Sequence, residues 1–248
     1  MQIAGLAKTT LVDFPGLVAA TVFTRGCNFK CHYCHNPELV LPEKFNPLIP
    51  EEDFFEFLES RYGKLGGVCI TGGEPTIHND LPQFISHIKA LGFQVKLDTN
   101  GTNPELLEKI IKDGDVDYIA MDIKSPIDKY RDVANFQFPI SNFKKNSKSK
   151  KPPAASCKLI AGVQKSVKLI MNSDISYEFR TTLAKPLHNI DDMIGIGKMI
   201  KGTNKYVIQN YLKTKQISEE MKLAPFLDKE LREMANAIKP FVKSVEIR

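Results

Sequence analysis

Leu17-Val-Ala-Ala-Thr-Val-Phe-Thr24 is a nearly unbroken apolar and β-branched run, and it empties directly into Arg25-Gly-Cys-Asn-Phe-Lys-Cys-His-Tyr-Cys-His-Asn36. The run suits a strand buried on both faces, as in a parallel sheet covered by helices. The loop after it carries Cys27, Cys31 and Cys34 in Cys-x3-Cys-x2-Cys spacing. Three thiolates on one short loop can hold three irons of a 4Fe-4S cube and leave the fourth iron without a protein ligand, open to a substrate or cofactor. The same loop also fits a structural zinc site with His35 or His32 as fourth ligand. Residues elsewhere have to decide between the two.

Outward from that strand, one pattern repeats. Residues 1–16, ending in Phe14-Pro15-Gly16, read as a short hairpin or arm ahead of it, and Leu41 to Pro50 reads as a connection. A helix starts at Pro50 and buries Phe54, Phe55, Phe57 and Leu58. Strands are expected at Gly67–Thr71, Gln94–Leu97, Tyr118–Ile123, Tyr177–Leu183 and Lys205–Leu212. Helical stripes fall between them, at about Asp80–Leu91, after Asn103-Pro104, at Leu159–Ile170 and at about Ile190–Ile200. A last helix (about Pro225–Ile238) and a terminal strand (Lys243–Ile247) close the chain. Six β/α units in succession predict an α/β fold: a partial (β/α)6 TIM-like barrel built on a mostly parallel, curved sheet. In such sheets, ligands sit at the carboxyl ends of the strands. The polar clusters Gly72-Gly-Glu-Pro75, Asp98-Thr-Asn-Gly101 and Asp122-Ile-Lys-Ser125 all lie at such ends. A zinc-stabilised structural domain gives no reason for that coincidence.

A chain of 248 residues suits one domain over 1–248. Hydrophobic residues at 42% and charged ones at 25% place it among soluble globular domains. No apolar run reaches membrane-span length and the first twenty residues lack a signal pattern, so a cytoplasmic location is expected. Three of the five cysteines crowd one loop, which in a reducing compartment points to metal rather than disulfides. The net charge of +5 is local: Val133–Ser173 holds eight lysines and no acidic residue, which leaves 5 − 8 = −3 elsewhere. Within it, Asn135–Ser156 reads as a mobile, solvated loop rich in lysine (Lys144, Lys145, Lys148, Lys150, Lys151). With only Phe136, Phe138 and Phe143 nearby, nucleic-acid binding is not expected.

The cysteine loop with Gly72-Gly73-Glu74-Pro75 on the next strand resembles the radical S-adenosylmethionine (SAM) superfamily. The resemblance implies a 4Fe-4S cluster on Cys27, Cys31 and Cys34, SAM chelating the open iron, and the Gly-Gly-Glu-Pro motif meeting the methionine amino group. Such a cluster delivers one electron to the sulfonium, and the resulting 5′-deoxyadenosyl radical takes a hydrogen atom. Tyr33-Cys34-His35-Asn36, Asp98-Thr99-Asn100-Gly101 and Asp122-Ile123-Lys124 are similar to the activating enzymes of glycyl radical enzymes. By that likeness Tyr33 and His35 border the adenine, and Gly72, Gly73, Glu74, Thr99, Asn100, Asp122, Lys124, Arg180 and Gln209 belong to the SAM site. Asp98 and Thr99 match positions that help hold a monovalent cation in one branch.

Leu11-Val-Asp-Phe-Pro-Gly16 and Tyr177-Glu-Phe-Arg-Thr-Thr182 resemble the longer form of the anaerobic (class III) ribonucleoside-triphosphate reductase activator. That likeness implies a glycyl radical enzyme as partner, and docking of an acidic electron donor, flavodoxin or ferredoxin, is the sharper reading of the lysine-rich loop beside the solvated one. A pyruvate formate-lyase type activator, or action on a small molecule, stays open as the alternative. Where the pyruvate formate-lyase activator carries a SAM-contacting histidine after the sixth strand, this chain offers Gln209, Asn210 and Tyr211, a departure that speaks against that alternative. The other two thiols, Cys69 and Cys157, are expected to be buried. His78, His87 and His188 are expected to pack or be solvated.

Overall fold

The computed structural model describes residues 1–136, 154–214, 216–218 and 220–248. Its sheet has eight strands in chain order: β1 (Ile3–Thr10), β2 (Ala19–Thr24), β3 (Gly67–Gly72), β4 (Gln94–Thr99), β5 (Tyr118–Asp122), β6 (Ser176–Leu183), β7 (Tyr206–Asn210) and β8 (Val245–Ile247). Every neighbour pair from β2 to β8 is parallel. The expected N-terminal arm is itself a sheet member, because β1 pairs antiparallel with β2. β1 and β8 are the two edges, so the barrel stays open.

The helices are α1 (Pro37–Val40), α2 (Glu51–Glu59), α3 (Leu81–Ala90), α4 (Pro104–Asp113), α5 (Tyr130–Ala134), α6 (Ala154–Met171), α7 (Ile190–Met199) and α8 (Asp228–Ile238). The single-turn α1 and α5 are too short to show a helical stripe in sequence. Phe54 and Phe55 of α2 pack on Phe84 of α3, with Phe54 and Phe84 stacked at 5.3 Å, and Leu58 of α2 is buried in the same core. Phe55 stacks on His87 at 3.7 Å, which accounts for that histidine as a packing residue. No helix among the described residues is long and apolar enough to cross a membrane.

Two expectations change. The five lysines 144–151 lie outside the described residues, but the expected loop ends earlier than Ser156, because α6 already begins at Ala154. Pro152-Pro153 sits just ahead of it, where missing N–H groups suit a helix start. Cys69 is buried as expected, whereas Cys157 is exposed. The buried face of α6 carries Val163, Val167 and Ile170. Cys157, six residues before Val163, lies roughly 240° round the helix from it.

Strand alternation turns Leu97, Ile119, Phe179 and Ile208 towards the helices and Lys96, Asp98, Asp122, Glu178 and Arg180 into the barrel. The interior is therefore lined with charge rather than the bulky branched residues of a closed barrel. Between β4 and α4 the chain is pinned by Asn103, whose Oδ1 accepts from Leu106 N (3.3 Å) and whose Nδ2 donates to Thr76 O (2.7 Å). Asn103→Ala should cost about 1 kcal/mol, or roughly 2–4 °C in Tm. Asn103→Asp, which restores the cap but not the bond to Thr76, should recover part of that in a thermal melt.

Candidate active site

The carboxyl ends of β2, β3 and β4 are fastened to one another before any ligand is considered. Gly73 N donates to Thr24 O (2.9 Å) and Glu74 N to Gly26 O (2.8 Å), so β3 ends flat against the root of the cysteine loop. That contact requires the paired glycines. A Cβ on Gly73 would lie 1.8 Å from Gly26 O, and Gly72 has φ +119° with Thr24 N where its Cβ would be. The close neighbour of the paired glycines in the fold is the root of the cysteine loop.

The Glu74 side chain is fully buried. Its Oε1 accepts from Thr76 N (3.1 Å), Thr76 Oγ1 (2.5 Å) and Thr99 Oγ1 (2.7 Å), and its Oε2 from Asn100 N (2.6 Å). Burial pushes its carboxyl pKa up, and these four bonds restrain the rise. Asn100 in turn donates through Nδ2 to Asn28 Oδ1 (2.8 Å), and Asn28 donates to Thr102 Oγ1 (2.7 Å), which ties the middle of the cysteine loop to β4. Phe29 plugs the loop into the core beside Tyr130 and Phe136. Thr99 and Asn100, expected at SAM, thus use their side chains to hold the site together.

Below the rim, charges alternate across three strands. Lys96 Nζ binds Asp98 Oδ1; Arg180 Nη1 donates to Asp98 Oδ2 (3.2 Å) and Arg180 Nε to Asp122 Oδ1 (2.8 Å). Lys124 Nζ donates to Asp122 Oδ2 (2.9 Å). Arg180 reaches Asp98 over Ala120, the small residue that lies between them on β5. Burial alone would raise both aspartates, but Arg180, with Lys96 at Asp98 and Lys124 at Asp122, holds their carboxyls below the usual range. Burial opposes the Lys124 and Arg180 charges, yet Asp122 outweighs it and raises both. Arg180 is therefore both the structural ion pair and the cation at the barrel mouth.

Above this ladder lies a cavity of about 420 Å³. It is lined by all three loop cysteines together with Tyr33, His35, Gly72, Gly73, Glu74, Asp98, Thr99, Asn100, Asp122, Lys124, Arg180 and Gln209, so every residue expected in the site converges on one space. Two contributors, Lys96 and Asp13, escaped the sequence reading, and a third, His188, packs as expected but beside the site. Lys96 is buried beneath Asp98, and its Lys-x-Asp spacing on one strand was the available signal. Asp13 reaches the cavity from the segment before β2, where Thr21 Oγ1 donates to it (2.6 Å). His188 packs on Tyr33 (6.0 Å between ring centroids) and bonds the Lys124 carbonyl through Nε2 (2.9 Å).

Burial raises the Cys27, Cys31 and Cys34 thiols, Cys31 to about 12. Of the two histidines that could complete a zinc site, His32 has both ring nitrogens engaged, with Ser218 Oγ (2.6 Å) and Asp132 O (3.1 Å), which leaves His35. A cluster takes one thiolate per iron and needs no fourth protein ligand. The Tyr33 hydroxyl and His35 Nε2 are buried at this cavity with no partner in the protein. Those two orphaned groups fit a polar molecule lying between the cysteine loop and the barrel mouth.

Comparison with known proteins agrees with this geometry. The Radical SAM superfamily profile matches residues 21–149. A protein of Methanocaldococcus jannaschii provisionally named a glycyl-radical enzyme activating enzyme is 30% identical over 99% of this chain and 95% of its own length. The pyruvate formate-lyase-activating enzyme of Listeria monocytogenes is 30% identical over 57% of this chain and 61% of its own. In fold, Streptococcus suis SuiB bound to S-adenosylmethionine superposes with a TM-score of 0.59 at 14% identity, over 90% of this chain and 48% of SuiB.

Two substitutions test the scaffold of the site by chemical denaturation. Glu74→Gln keeps one acceptor oxygen but turns an amide against the Asn100 N–H, and should lower stability by about 1–3 kcal/mol. Arg180→Met leaves Asp98 on β4 and Asp122 on neighbouring β5 with one lysine partner each, and should cost about 1–3 kcal/mol. Adding Asp122→Asn to Arg180→Met should recover part of that loss; no recovery would mean that Arg180 acts through packing alone.

Proposed function

This chain belongs to the radical SAM superfamily, among the glycyl-radical enzyme activating enzymes, and on that premise we propose that it takes a hydrogen atom from a glycine of an anaerobic ribonucleoside-triphosphate reductase. The family works with a 4Fe-4S cluster and SAM. When bound, the two supply one low-potential electron and a sulfonium C–S bond for it to break, giving methionine and a 5′-deoxyadenosyl radical that leaves as 5′-deoxyadenosine once the glycine hydrogen has moved.

The single observation that carries this reading is the convergence of three thiols, the Gly-Gly-Glu turn and the Asp122–Lys124–Arg180 charges on one cavity. In it, Cys27, Cys31 and Cys34 would hold the cluster. The turn at Gly72-Gly73-Glu74 would meet the methionine amino group, and Lys124 and Arg180 would face its carboxylate. Tyr33 and His35 would border the adenine, with Gln209 on the opposite strand end. Enclosure by the cysteine loop on one side and the strand ends on the other keeps water from the reacting atoms.

The choice of reductase rests on the Leu11–Gly16 and Tyr177–Thr182 stretches. From the first comes Asp13 and from the second Arg180, and both line the cavity. A pyruvate formate-lyase partner is the second reading, favoured by the Listeria relative. Flavodoxin or ferredoxin would supply the electron.

Anaerobic incubation of the iron-loaded protein with reductant, SAM and the candidate reductase should give a glycyl electron-spin signal on the reductase. Cys27→Ala should abolish the protein's colour, its SAM cleavage and that signal together. Active SAM cleavage with a silent reductase and a glycyl signal on pyruvate formate-lyase would move the assignment to the second partner.

A further inference from the structure

Lys96 is a charged group beneath the barrel mouth to which the proposed reaction gives no role. It is 2% exposed, with its ammonium on Asp98 Oδ1 and 3.6 Å from the Sγ of fully buried Cys69. A lysine at a protein surface can swing away from its partner. This one is held in by the barrel wall, and strand alternation fixes it on the same face as Asp98, two residues on.

The sequence resemblance puts a monovalent cation beside Asp98 and Thr99. In the fold, neither residue is left free for one. Both Asp98 oxygens are paired, one with Lys96 and the other with Arg180. The Thr99 hydroxyl donates to Glu74 Oε1 (2.7 Å) and accepts from Gly101 N (3.0 Å). The next carboxylate, Asp122, is paired on both oxygens as well, with Arg180 and Lys124. Within this chain of pairs each oxygen of Asp98 and Asp122 already faces Lys96, Arg180 or Lys124. A further cation at Asp98 would have to displace Lys96 or Arg180 from it.

We propose that Lys96 is a positioning residue that supplies, from inside the protein, the positive charge a monovalent cation would otherwise bring to Asp98, so that this chain binds SAM without such a cation. Lys96 then acts through Asp98: it holds that carboxylate and, with it, the Arg180 guanidinium that faces the SAM carboxylate. The inference rests on the SAM-binding reading above, and the experiment separates the two.

SAM affinity of the iron-loaded protein is measured anaerobically by equilibrium dialysis in potassium, sodium and choline chloride at matched ionic strength. The wild type should bind SAM equally in all three to within about twofold. Lys96→Met, similar in length but uncharged, should bind roughly tenfold more tightly in potassium or sodium chloride than in choline chloride. Wild-type affinity that rises by that factor with either cation, or a folded Lys96→Met protein indifferent to them, overturns the proposal. Should Lys96→Met fail to fold, the wild-type salt series decides alone. The sodium NMR line width over the cluster-free wild type gives an answer without SAM. Saturable broadening that potassium reverses overturns the proposal, and its absence supports it. Failure to bind SAM in any salt would instead remove the functional reading, while the sodium measurement still decides the cation.

Discussion

One buried carboxylate, Glu74, holds the working end of this molecule together. It receives four hydrogen bonds from two directions, its own turn at Thr76 and the end of β4 at Thr99 and Asn100. Its backbone N–H reaches a third, the root of the cysteine loop at Gly26. An ionised carboxylate in such a place is tolerated only when its lone pairs are met by donors, and here they are. The consequence is a cysteine loop, short and without regular structure, that is nonetheless fixed against two strand ends. Three thiols can be presented at one cavity only because their loop is fastened in this way.

Beneath that fastening, the barrel interior alternates charge instead of packing hydrocarbon. Buried ion pairs seldom add stability over a well-packed apolar core, since desolvation offsets most of the attraction. Their presence on three adjacent strands therefore points to the cavity above them. Lys96, Asp98, Arg180, Asp122 and Lys124 form one continuous chain of pairs, so no member can shift alone. A zwitterionic ligand placed on such a surface meets charges that need no rearrangement to receive it. Deeper in the barrel, fully buried Glu178 is matched in the same manner by Lys205 and Arg248.

Much of this was legible from local pattern. The strands after β1 and the long helices announced themselves, the strands by short apolar runs and the helices by a repeat of 3.6, because burial on both faces of a strand or one face of a helix writes those patterns into the sequence. The polar clusters could be placed at strand ends because each directly follows an apolar run. Where the reading missed, a short or one-sided signal was responsible. The single turns α1 and α5 hold too few residues for a stripe, β1 has an edge strand's mixed burial and looked like an arm, and Cys157 sits on the outer face of a helix whose phase its own neighbours do not reveal.

By itself, then, the sequence determined the α/β class, the order of the strands, the cysteine spacing and the residue types gathered at each strand end, since all of these are properties of contiguous segments. Only the tertiary structure decided who meets whom. Lys96, Asp98, Asp122 and Arg180 span more than eighty positions of chain, and their partners depend on strand order, on register and on the small Ala120 that lets Arg180 reach across. For the same reason the paired glycines proved to face Thr24 and Gly26, and the carboxylate between Gly73 and Pro75 to bind β4. Pairings of that kind are set by the geometry of the curved sheet, and no stretch of residues carries them alone.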